Sequence, residues 1–291
     1  MLIPLGFLAA SGGGIVDRFV ALAHYDSPRV TVYPFSTGFG AKIANPATAV
    51  PGAGYAVKFA PAGNAIAVTH GNTPNISAYA FSSGFGTKYA DPGTALNGQG
   101  YSLDFTPSGN AVIAGDRNSP FVSAYPFSSG FGTKYANPGT APTGRGYGVS
   151  FSASGTDVAV SHGTSPFISV YPWSPGFGTK YANPATAIPQ RGNGVKFSSS
   201  NDIAVAHENS PFISVYPWSS GFGTKYANPA GLTAGPRGLS FSPSGNQIAI
   251  GVTSTPFINA YPWSSGFGTK YANPGTLPPG GPRSNDSVDT V

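Results

Sequence analysis

One phrase recurs six times along this chain, and it limits the folds that the chain can adopt. Its clearest copy is VYPWSSGFGTKYANP at residues 215–229. The copies can be aligned on the first Gly of GFG, namely Gly38, Gly84, Gly130, Gly176, Gly221 and Gly266. By subtraction, successive copies lie 46, 46, 46, 45 and 45 residues apart. Such a period is typical of solenoids and propellers, in which every unit needs the same packing surface, whereas an enzyme needs one asymmetric site.

Composition indicates that the repeats are turn-rich β structure. The 291 residues include 41 Gly and 29 Pro, and only 9% are charged, well below the roughly 25% usual in globular domains. Gly and Pro disfavour long helices. With 40% hydrophobic residues, the chain can still bury enough apolar surface to fold. There is no Cys, so neither disulfides nor Cys-ligated metals are expected.

Each repeat reads as four short strands separated by turns. In the third unit, YSLDF (101–105) alternates apolar and polar residues, AVIAG (111–115) is a buried strand and FVSAYPF (121–127) a third strand. The hairpin SSGFG then leads into TKYA, which we predict to be an outer fourth strand. Pro120, like its counterparts Pro166, Pro211 and Pro256, precedes the third strand, where no N–H is needed. The sequence therefore predicts an all-β, six-bladed β-propeller of four-stranded antiparallel blades, with about 46 residues per repeat.

The ends of the chain must complete the first blade. FVALAH (19–24) already reads as a second strand, so we expect residues 3–8 to supply the missing innermost strand. The apolar run in MLIPLGFLAASGGG resembles part of a signal peptide, but no Lys or Arg precedes it, and it is too short to span a membrane. We predict one domain over residues 1–281, a polar tail over 282–291 and no transmembrane segment.

Two resemblances extend this interpretation. GVSFSASGTDVAVSHGTSPFISVYPW (148–173) resembles the inner three strands of a WD-repeat blade, and this similarity covers residues 19–274. It implies a propeller that acts as a binding scaffold. The Gly-His and Trp-Asp dipeptides that name that family are absent. YPWSSGFGTKYANP also resembles uncharacterised repeat proteins of bacteriophage and environmental bacteria. Neither resemblance supplies a catalytic residue.

All four His fall at one repeat position, and Asp116 and Val252 replace them in the other two units. They are His24, His70, His162 and His207. Equivalent points on neighbouring blades should be on the order of 10 Å apart, whereas metal ligands need distances near 2 Å, so we expect no shared metal. These His either form hydrogen bonds within their blade or join Asp116, Arg145, Arg191 and Arg237 in a ligand or partner face.

Carboxylates are too few and too scattered to suggest catalysis. Asp and Glu together number 10, and most stand at turn positions. Asp104 differs because it lies in a first strand, at a position that alternation should point into a central channel. We expect this channel to be lined by Lys58, Asp104, Ser150, Lys196 and Ser240. No carboxylate pair, phosphate loop or nucleophile motif is recognisable, so we predict no catalytic residue, no cofactor and no metal site.

The hairpins and outer strands could mediate assembly. The Lys of TKYA either discourages edge-to-edge pairing or forms a ring of cations facing an anionic partner; these residues are Lys42, Lys88, Lys134, Lys180, Lys225 and Lys270. The Phe of GFG either wedges blades together or forms an exposed association surface; these residues are Phe39, Phe85, Phe131, Phe177, Phe222 and Phe267.

Two functions of different classes remain. The net charge of +5 is spread along the chain, which does not indicate a nucleic-acid site. The favoured function is a non-catalytic, multivalent scaffold on a phage virion or cell surface, with protein partners or copies of itself. The alternative is a carbohydrate-binding lectin for surface glycans, with pockets between blades built from Tyr, Trp and Arg, such as Trp173, Trp218, Trp263, Arg145, Arg191 and Arg237. An enzyme is the least favoured.

Overall fold

The computed structural model of the chain describes residues 5–8, 18–36, 38–232 and 234–278. Within these ranges the chain forms nineteen β-strands and no helix. The strands belong to six antiparallel sheets, which correspond to the six units predicted from the repeat. The all-β prediction is therefore confirmed.

The sheets follow the order of the chain. Sheet 1 contains β1 (Leu5–Leu8), β2 (Arg18–Ala23) and β3 (Val30–Phe35). Sheet 2 contains β4 (Gly54–Phe59), β5 (Ala65–His70), β6 (Ile76–Phe81) and β7 (Phe85–Lys88). Sheet 3 contains β8 (Gly100–Phe105), β9 (Ala111–Asp116) and β10 (Val122–Pro126). Sheet 4 contains β11 (Gly146–Phe151), β12 (Asp157–His162) and β13 (Ile168–Pro172). Sheet 5 contains β14 (Gly192–Phe197), β15 (Asp202–His207) and β16 (Ile213–Pro217), and sheet 6 contains β17 (Pro236–Phe241), β18 (Gln247–Val252) and β19 (Ile258–Pro262).

The predicted first strand of the first unit is present over residues 5–8. β1 pairs antiparallel with β2, with Leu5 opposite Leu22 and Leu8 opposite Phe19. Residues 3 and 4 lie outside the described residues, as do 279–281 at the end of the predicted domain and the predicted tail 282–291.

The prediction of four strands in every sheet is wrong. Among the described residues only sheet 2 has a fourth strand; in the other five sheets the segment after the hairpin forms a single bridge, as between Trp173 and Phe177. The carbonyl oxygen of Pro172 accepts a hydrogen bond from Gly178 N on the outer side of β13. The backbone nitrogen of a strand residue faces the same side as its carbonyl. Because the nitrogen of proline carries no hydrogen, Pro172 cannot donate a bond to a fourth strand there. Sheet 2 has Ala80 at this position, which restores the donor.

The first strands of neighbouring sheets lie side by side and surround a common axis. β1 contacts β4, β4 contacts β8, and the series continues through β11 and β14 to β17. The second and third strands of each sheet extend outward from these inner strands. The six sheets are therefore arranged radially, with the predicted channel residues on the strands nearest the axis.

Among the described residues, five hydrophobic clusters hold the sheets together, and each lies between two successive sheets. One sheet contributes a face of small aliphatic side chains, which we call its small face; in sheet 4 this face contains Ala159, Ile168 and Val170. The next sheet contributes its aromatic face, which in sheet 5 contains Tyr216 and Trp218. The Tyr of the repeated phrase and the Trp or Phe two residues after it are thus packing residues used once in each of these interfaces.

Candidate ligand face at the channel mouth

The repeated His lie at the ends of the second strands, where they hold the turn that follows against its own sheet. His162 Nδ1 lies 2.8 Å from the carbonyl oxygen of Thr164, and its Nε2 lies 3.0 Å from the Ser169 hydroxyl. A carbonyl oxygen can only accept, so Nδ1 carries the proton and the hydroxyl donates to Nε2 of the neutral ring. His207 repeats both contacts, with Asn209 and Ser214. These bonds support the within-blade interpretation.

Three of the four His are fully buried, and burial sets their protonation. His70, His162 and His207 are each 0% exposed. Desolvation lowers the pKa of each of these imidazoles to about 4, so all three are neutral at pH 7. Asp116, at the same repeat position, is also 0% exposed, and its Oδ2 accepts a 2.6 Å bond from Ser123. Buried side chains cannot contact a ligand at the surface, so of this set only His24, which is half-buried, reaches the predicted face.

The turns that follow these positions do meet the linkers that precede the first strands. Gly163 N donates a 3.1 Å bond to the carbonyl of Arg145, and Arg117 N donates a 2.9 Å bond to the carbonyl of Gln99. The Arg145 side chain is exposed at this edge. The predicted adjacency of turns and linkers is therefore present at one end of the channel, which we call the channel mouth.

A second set of residues, of which the sequence-based prediction named only Arg237, occupies this mouth. Near the start of each first strand in sheets 2 to 6 the register shifts, as between Gly146 and Gly148, and one residue is left unpaired. Bulges of this kind redirect a side chain and are frequent next to functional sites. The unpaired residues are Tyr55, Tyr101, Tyr147, Asn193 and Arg237.

Three of these bulge residues are Tyr, and they contact one another across sheets 2 to 4. The ring centroids of Tyr55 and Tyr101 are 5.7 Å apart, and those of Tyr101 and Tyr147 are 5.4 Å apart. Gln99 bridges the first pair, because its Nε2 donates to Tyr55 Oη at 3.0 Å and its Oε1 accepts from Tyr101 at 3.3 Å. Burial, reinforced by nearby Tyr25 and Tyr101, raises the pKa of Tyr55.

Arginines continue the row into sheets 5 and 6. The Arg191 guanidinium lies 4.9 Å from the ring centroid of Tyr147, a cation–π contact. The same guanidinium forms an ion pair with Glu208, which Arg237 approaches to 3.9 Å. Arg117 donates a 2.9 Å bond to Gln99 Oε1. We call this row the mouth belt: Tyr55, Gln99, Tyr101, Arg117, Tyr147, Arg191, Glu208 and Arg237.

The mouth belt combines aromatic rings with an excess of guanidinium groups. Its three Arg outnumber its one carboxylate, Glu208, and all of its members are at least partly exposed. Guanidinium groups bind carboxylates, phosphates and planar groups well. The sequence signal for the Tyr was a Gly-Tyr dipeptide repeated every 46 residues at Tyr55, Tyr101 and Tyr147. The alternation of apolar and polar residues along the strand did not by itself predict a binding role for these Tyr.

The predicted channel residues connect neighbouring inner strands below the mouth. Asp104 Oδ2 accepts a 2.9 Å bond from the amide of Phe151 on the next sheet, and Ser150 Oγ accepts a 3.2 Å bond from Phe197 N on the sheet after that. Asp104 therefore has a structural role, because its carboxylate accepts the hydrogen bond of an amide on the neighbouring inner strand. Lys58, Lys196 and Ser240 occupy the matching positions on β4, β14 and β17.

Most of the hairpin Phe residues are partly buried, which is intermediate between the two predicted alternatives of full burial and full exposure. Phe177 is partly buried and packs edge-on against Tyr171 and Trp173 of its own sheet, at 5.5 and 5.2 Å. Phe85, Phe131, Phe222 and Phe267 make the same pair of contacts. Phe39 alone among the six is strongly exposed, at 64%. Five of these Phe residues therefore pack, partly buried, against the hydrophobic clusters between sheets, and they do not form a continuous exposed surface.

The outer Lys and the three Trp also have defined partners. Each Lys donates to the Asn or Asp three residues later, as Lys134 does to Asn137 at 2.8 Å. Trp173, Trp218 and Trp263 are 7%, 4% and 3% exposed. Since they are buried between sheets, they do not line open pockets as the lectin hypothesis required. A shallow groove of about 440 Å³ does lie at the rim of sheets 3 and 4, where Tyr135, Pro172 and Phe177 line it.

In the described part of the chain, no group of three His, Asp or Glu is placed to hold a metal ion. The same residues include no helix that is long and apolar enough to cross a membrane.

Comparison with known proteins identifies the architecture. No protein-family model matches the chain, and no curated protein matches its sequence. Among solved structures, it is similar to hydrazine synthase of Kuenenia stuttgartiensis, with a TM-score of 0.65 and 12% identity over 89% of this chain and 76% of that one. It is also similar to the Cps50 (Swd1) β-propeller domain of Myceliophteria thermophila, with a TM-score of 0.63 and 12% identity over 91% and 88% of the two chains. At such identities the similarity concerns the fold alone, and together with the radial sheets it shows that this chain has a β-propeller fold.

Proposed function

We propose that this protein is a non-catalytic binding scaffold with six blades, and that its partner contacts the channel mouth through the mouth belt. The observation that carries the proposal is the unbroken row from Tyr55 through Tyr101 and Tyr147 to Arg191, which crosses four sheets. Aromatic and Arg side chains dominate the binding energy of protein interfaces. The bulges place the three Tyr on rigid strands, which reduces the entropy lost on binding.

The chemistry of the titratable groups supports a binding role. The side chains of His70, His162 and His207 are buried. The carboxylate of Asp104 accepts a hydrogen bond from a backbone amide. General acid–base catalysis needs a titratable group within hydrogen-bond reach of the substrate. The exposed groups at the mouth are guanidiniums, phenols and Glu208, which already pairs with Arg191. These groups suit recognition of an anionic or hydrogen-bonding partner surface.

We further propose that the scaffold acts as a multivalent component of a phage virion or cell surface. With 9% charged residues, copies of the chain repel one another weakly. Six near-identical hairpins repeat the same contact around one axis, which favours avidity over single-site affinity. The resemblance of the repeated phrase to bacteriophage and environmental bacterial proteins motivates this setting.

A binding screen with matched variants tests the mouth. The purified chain is applied to an array of acidic peptides and to an array of anionic and neutral glycans, and the strongest ligand is titrated by calorimetry. Tyr147→Ala and Arg191→Ala should each weaken binding at least tenfold. Lys134→Ala and Lys180→Ala, in the outer segments, should leave it unchanged. A ligand whose affinity is insensitive to Tyr147 and Arg191, or measured turnover of a bound ligand, would contradict the proposal.

A carbohydrate-binding function is the second candidate, and the rim groove between sheets 3 and 4 favours it. Tyr135 and Phe177 offer apolar surface there, and Ser174 offers a hydroxyl. Neutral glycans that bind the wild type and lose affinity in Tyr135→Ala, but keep it in Tyr147→Ala, would assign the site to this groove. The opposite pattern would assign glycan binding to the mouth belt.

A further inference from the structure

Two arginines from different sheets converge on one carboxylate at the channel mouth. Arg191 lies in the linker just before β14, and Arg237 is the bulge residue of β17. Both approach the same oxygen, Oε1 of Glu208, which follows the end of β15. We call the two guanidinium groups the arginine clamp. Its two positive charges exceed the single negative charge that Glu208 supplies.

A buried asparagine holds both sides of the clamp in place. The side chain of Asn193 is only 1% exposed. Its Oδ1 accepts a 3.0 Å hydrogen bond from Arg191 Nε, and its Nδ2 donates a 2.9 Å bond to the carbonyl oxygen of Pro236, the residue before Arg237. The Tyr147 ring lies against the Arg191 guanidinium. The clamp is therefore rigid before a partner binds, which lowers the entropy lost on binding.

Glu208 fills the clamp incompletely. Its Oε1 accepts a hydrogen bond from Arg191, but Nη1 of Arg237 lies 3.9 Å from the same oxygen, beyond hydrogen-bond distance. The strongest pairs between arginine and carboxylate give each oxygen its own N–H donor. The side chains of Arg191, Arg237 and Glu208 are 29%, 34% and 37% exposed, and exposed ion pairs are favoured by no more than about fivefold. A carboxylate that reaches both arginines can therefore displace Glu208.

Sheet 4 has no carboxylate at the matching position. Arg145 occupies the repeat position of Arg191 in the linker before β11. It meets Gly163, which donates a backbone bond to its carbonyl and stands where sheet 5 has Glu208. The Arg145 side chain is exposed. Arginines of three successive sheets thus give this arc of the mouth an excess of positive charge, which complements an acidic partner.

We propose, building on the role of the mouth belt proposed above, that the arginine clamp is a carboxylate-binding subsite for an acidic peptide segment of a partner protein. Glu208 occupies the clamp in the free protein, and an Asp or Glu side chain of the partner replaces it. An acidic peptide fits because the clamp already accepts the carboxylate of a peptide chain, its own. Only a segment that supplies a carboxylate gains from the exchange, so Glu208 also excludes neutral sequences.

Calorimetry with hexaglutamate and hexaglutamine peptides, both blocked at their ends, tests the subsite. The wild type should bind hexaglutamate but not hexaglutamine. Glu208→Ala empties the clamp and should tighten hexaglutamate binding by up to about fivefold. Arg237→Ala should weaken it by about tenfold, because a charged donor is lost.

Asp91→Ala is the matched control for the change in net charge. It also removes one carboxylate from an exposed ion pair, with Lys88 in the outer segment of sheet 2. Because that pair lies outside the mouth belt, hexaglutamate affinity should stay at the wild-type value. Near-ultraviolet circular dichroism verifies that each variant is folded.

Three results would overturn the subsite: no hexaglutamate binding to the wild type or to Glu208→Ala, equal affinities for Glu208→Ala and Asp91→Ala, or an affinity that Arg237→Ala leaves unchanged. The role of the mouth belt is judged separately. A neutral ligand that requires Tyr147 would keep that role while excluding the acidic peptide. Hexaglutamate binding that requires neither Tyr147 nor Arg191 would count against both.

Discussion

The hydroxyl of Tyr171 in sheet 4 donates a 2.8 Å hydrogen bond to the carbonyl oxygen of Thr140 in the linker that follows sheet 3. The Tyr ring is fully buried between the two sheets, and burial raises its pKa to about 12. The same bond recurs from Tyr125, Tyr216 and Tyr261 to their preceding linkers. One residue of the repeated phrase thus ties each of these sheets to the unit before it.

Removing this hydroxyl should cost measurable stability. We expect Tyr171→Phe to lower the free energy of unfolding by about 1 kcal/mol, because it leaves the Thr140 carbonyl without its partner. Tyr79→Phe is the matched control: Tyr79 is equally buried but its hydroxyl makes no bond to a linker carbonyl. It should be neutral or slightly stabilising. Equal losses for both variants in urea denaturation would show that the bond contributes nothing specific.

Close approach of two sheets requires a glycine immediately before the bulge of Tyr147. A Cβ atom at Gly146 would lie 2.3 Å from the carbonyl oxygen of Phe121 in the neighbouring sheet. Because a backbone atom cannot rotate away, Gly146→Ala should destabilise the protein by about 1–3 kcal/mol. It should also displace the adjacent Tyr147 and weaken binding at the mouth.

Gly139→Ala provides the comparison for this change. A Cβ at Gly139 would meet no atom within 4 Å, so its melting temperature should match that of the wild type. If Gly146→Ala also melts at the wild-type temperature, the contact with Phe121 is more yielding than the structure indicates.

Much of the fold could be predicted because the same sequence signals for strands and turns occur in all six copies of the repeat. Alternation placed the third inner strand at residues 101–105, and the structure has it at Gly100–Phe105. The outer strand was mispredicted because composition does not show which side of a strand each backbone group faces. Only pairing reveals that Pro172 lacks a donor on the side where the fourth strand would bind.

The sequence analysis named Arg191 and Arg237 of the mouth belt, but its three Tyr could not be predicted from alternation for a related reason. A bulge leaves one residue out of the two-residue period, so counting along the strand assigns Tyr147 no definite face. The His were located correctly along the chain, but their burial depends on Ser169 and its counterparts on another strand. Such contacts between strands are properties of the fold rather than of a local sequence pattern.

The single proline that limits the outer strand can be exchanged to test this explanation. Pro172→Ala should let the segment after the hairpin pair with β13, as it does in sheet 2, where Ala80 occupies this position. One added hydrogen bond of about 1 kcal/mol should slow amide exchange at residues 177–180 about fivefold. Ala80→Pro should have the opposite effect on residues 85–88. Unchanged exchange in both variants would place the cause elsewhere.

Asp116 should make the protein less stable as pH rises through its titration range. Burial raises the pKa of this carboxyl to about 7 from 3.8, so the folded state prefers the protonated form. The resulting stability is complete below pH 3.8 and is lost as pH approaches 7 and above. Asp116→Asn does not titrate, so its stability relative to the wild type should increase between pH 4 and 7, by up to about 4 kcal/mol. A difference that is constant with pH would mean that Asp116 is ionised at little cost.

The three buried His should act in the opposite direction and outnumber Asp116. Their pKa of about 4 in the folded state lies below the ordinary value of 6.5, so the unfolded chain binds protons first. Their stability is therefore present above pH 6.5 and is lost as pH falls towards 4. The wild type should unfold more easily across this window, by roughly 1–3 kcal/mol per His.

Substitution by glutamine separates this effect from general acid denaturation. His162→Gln keeps a donor and an acceptor beside Thr164 and Ser169 but cannot take up a proton in this range. It should remove about one third of the slope of unfolding free energy against pH between 6.5 and 4 if the three His titrate alike, and changing His70 and His207 as well should remove most of it. A triple variant as acid-sensitive as the wild type would mean that these imidazoles become protonated without disturbing their turns.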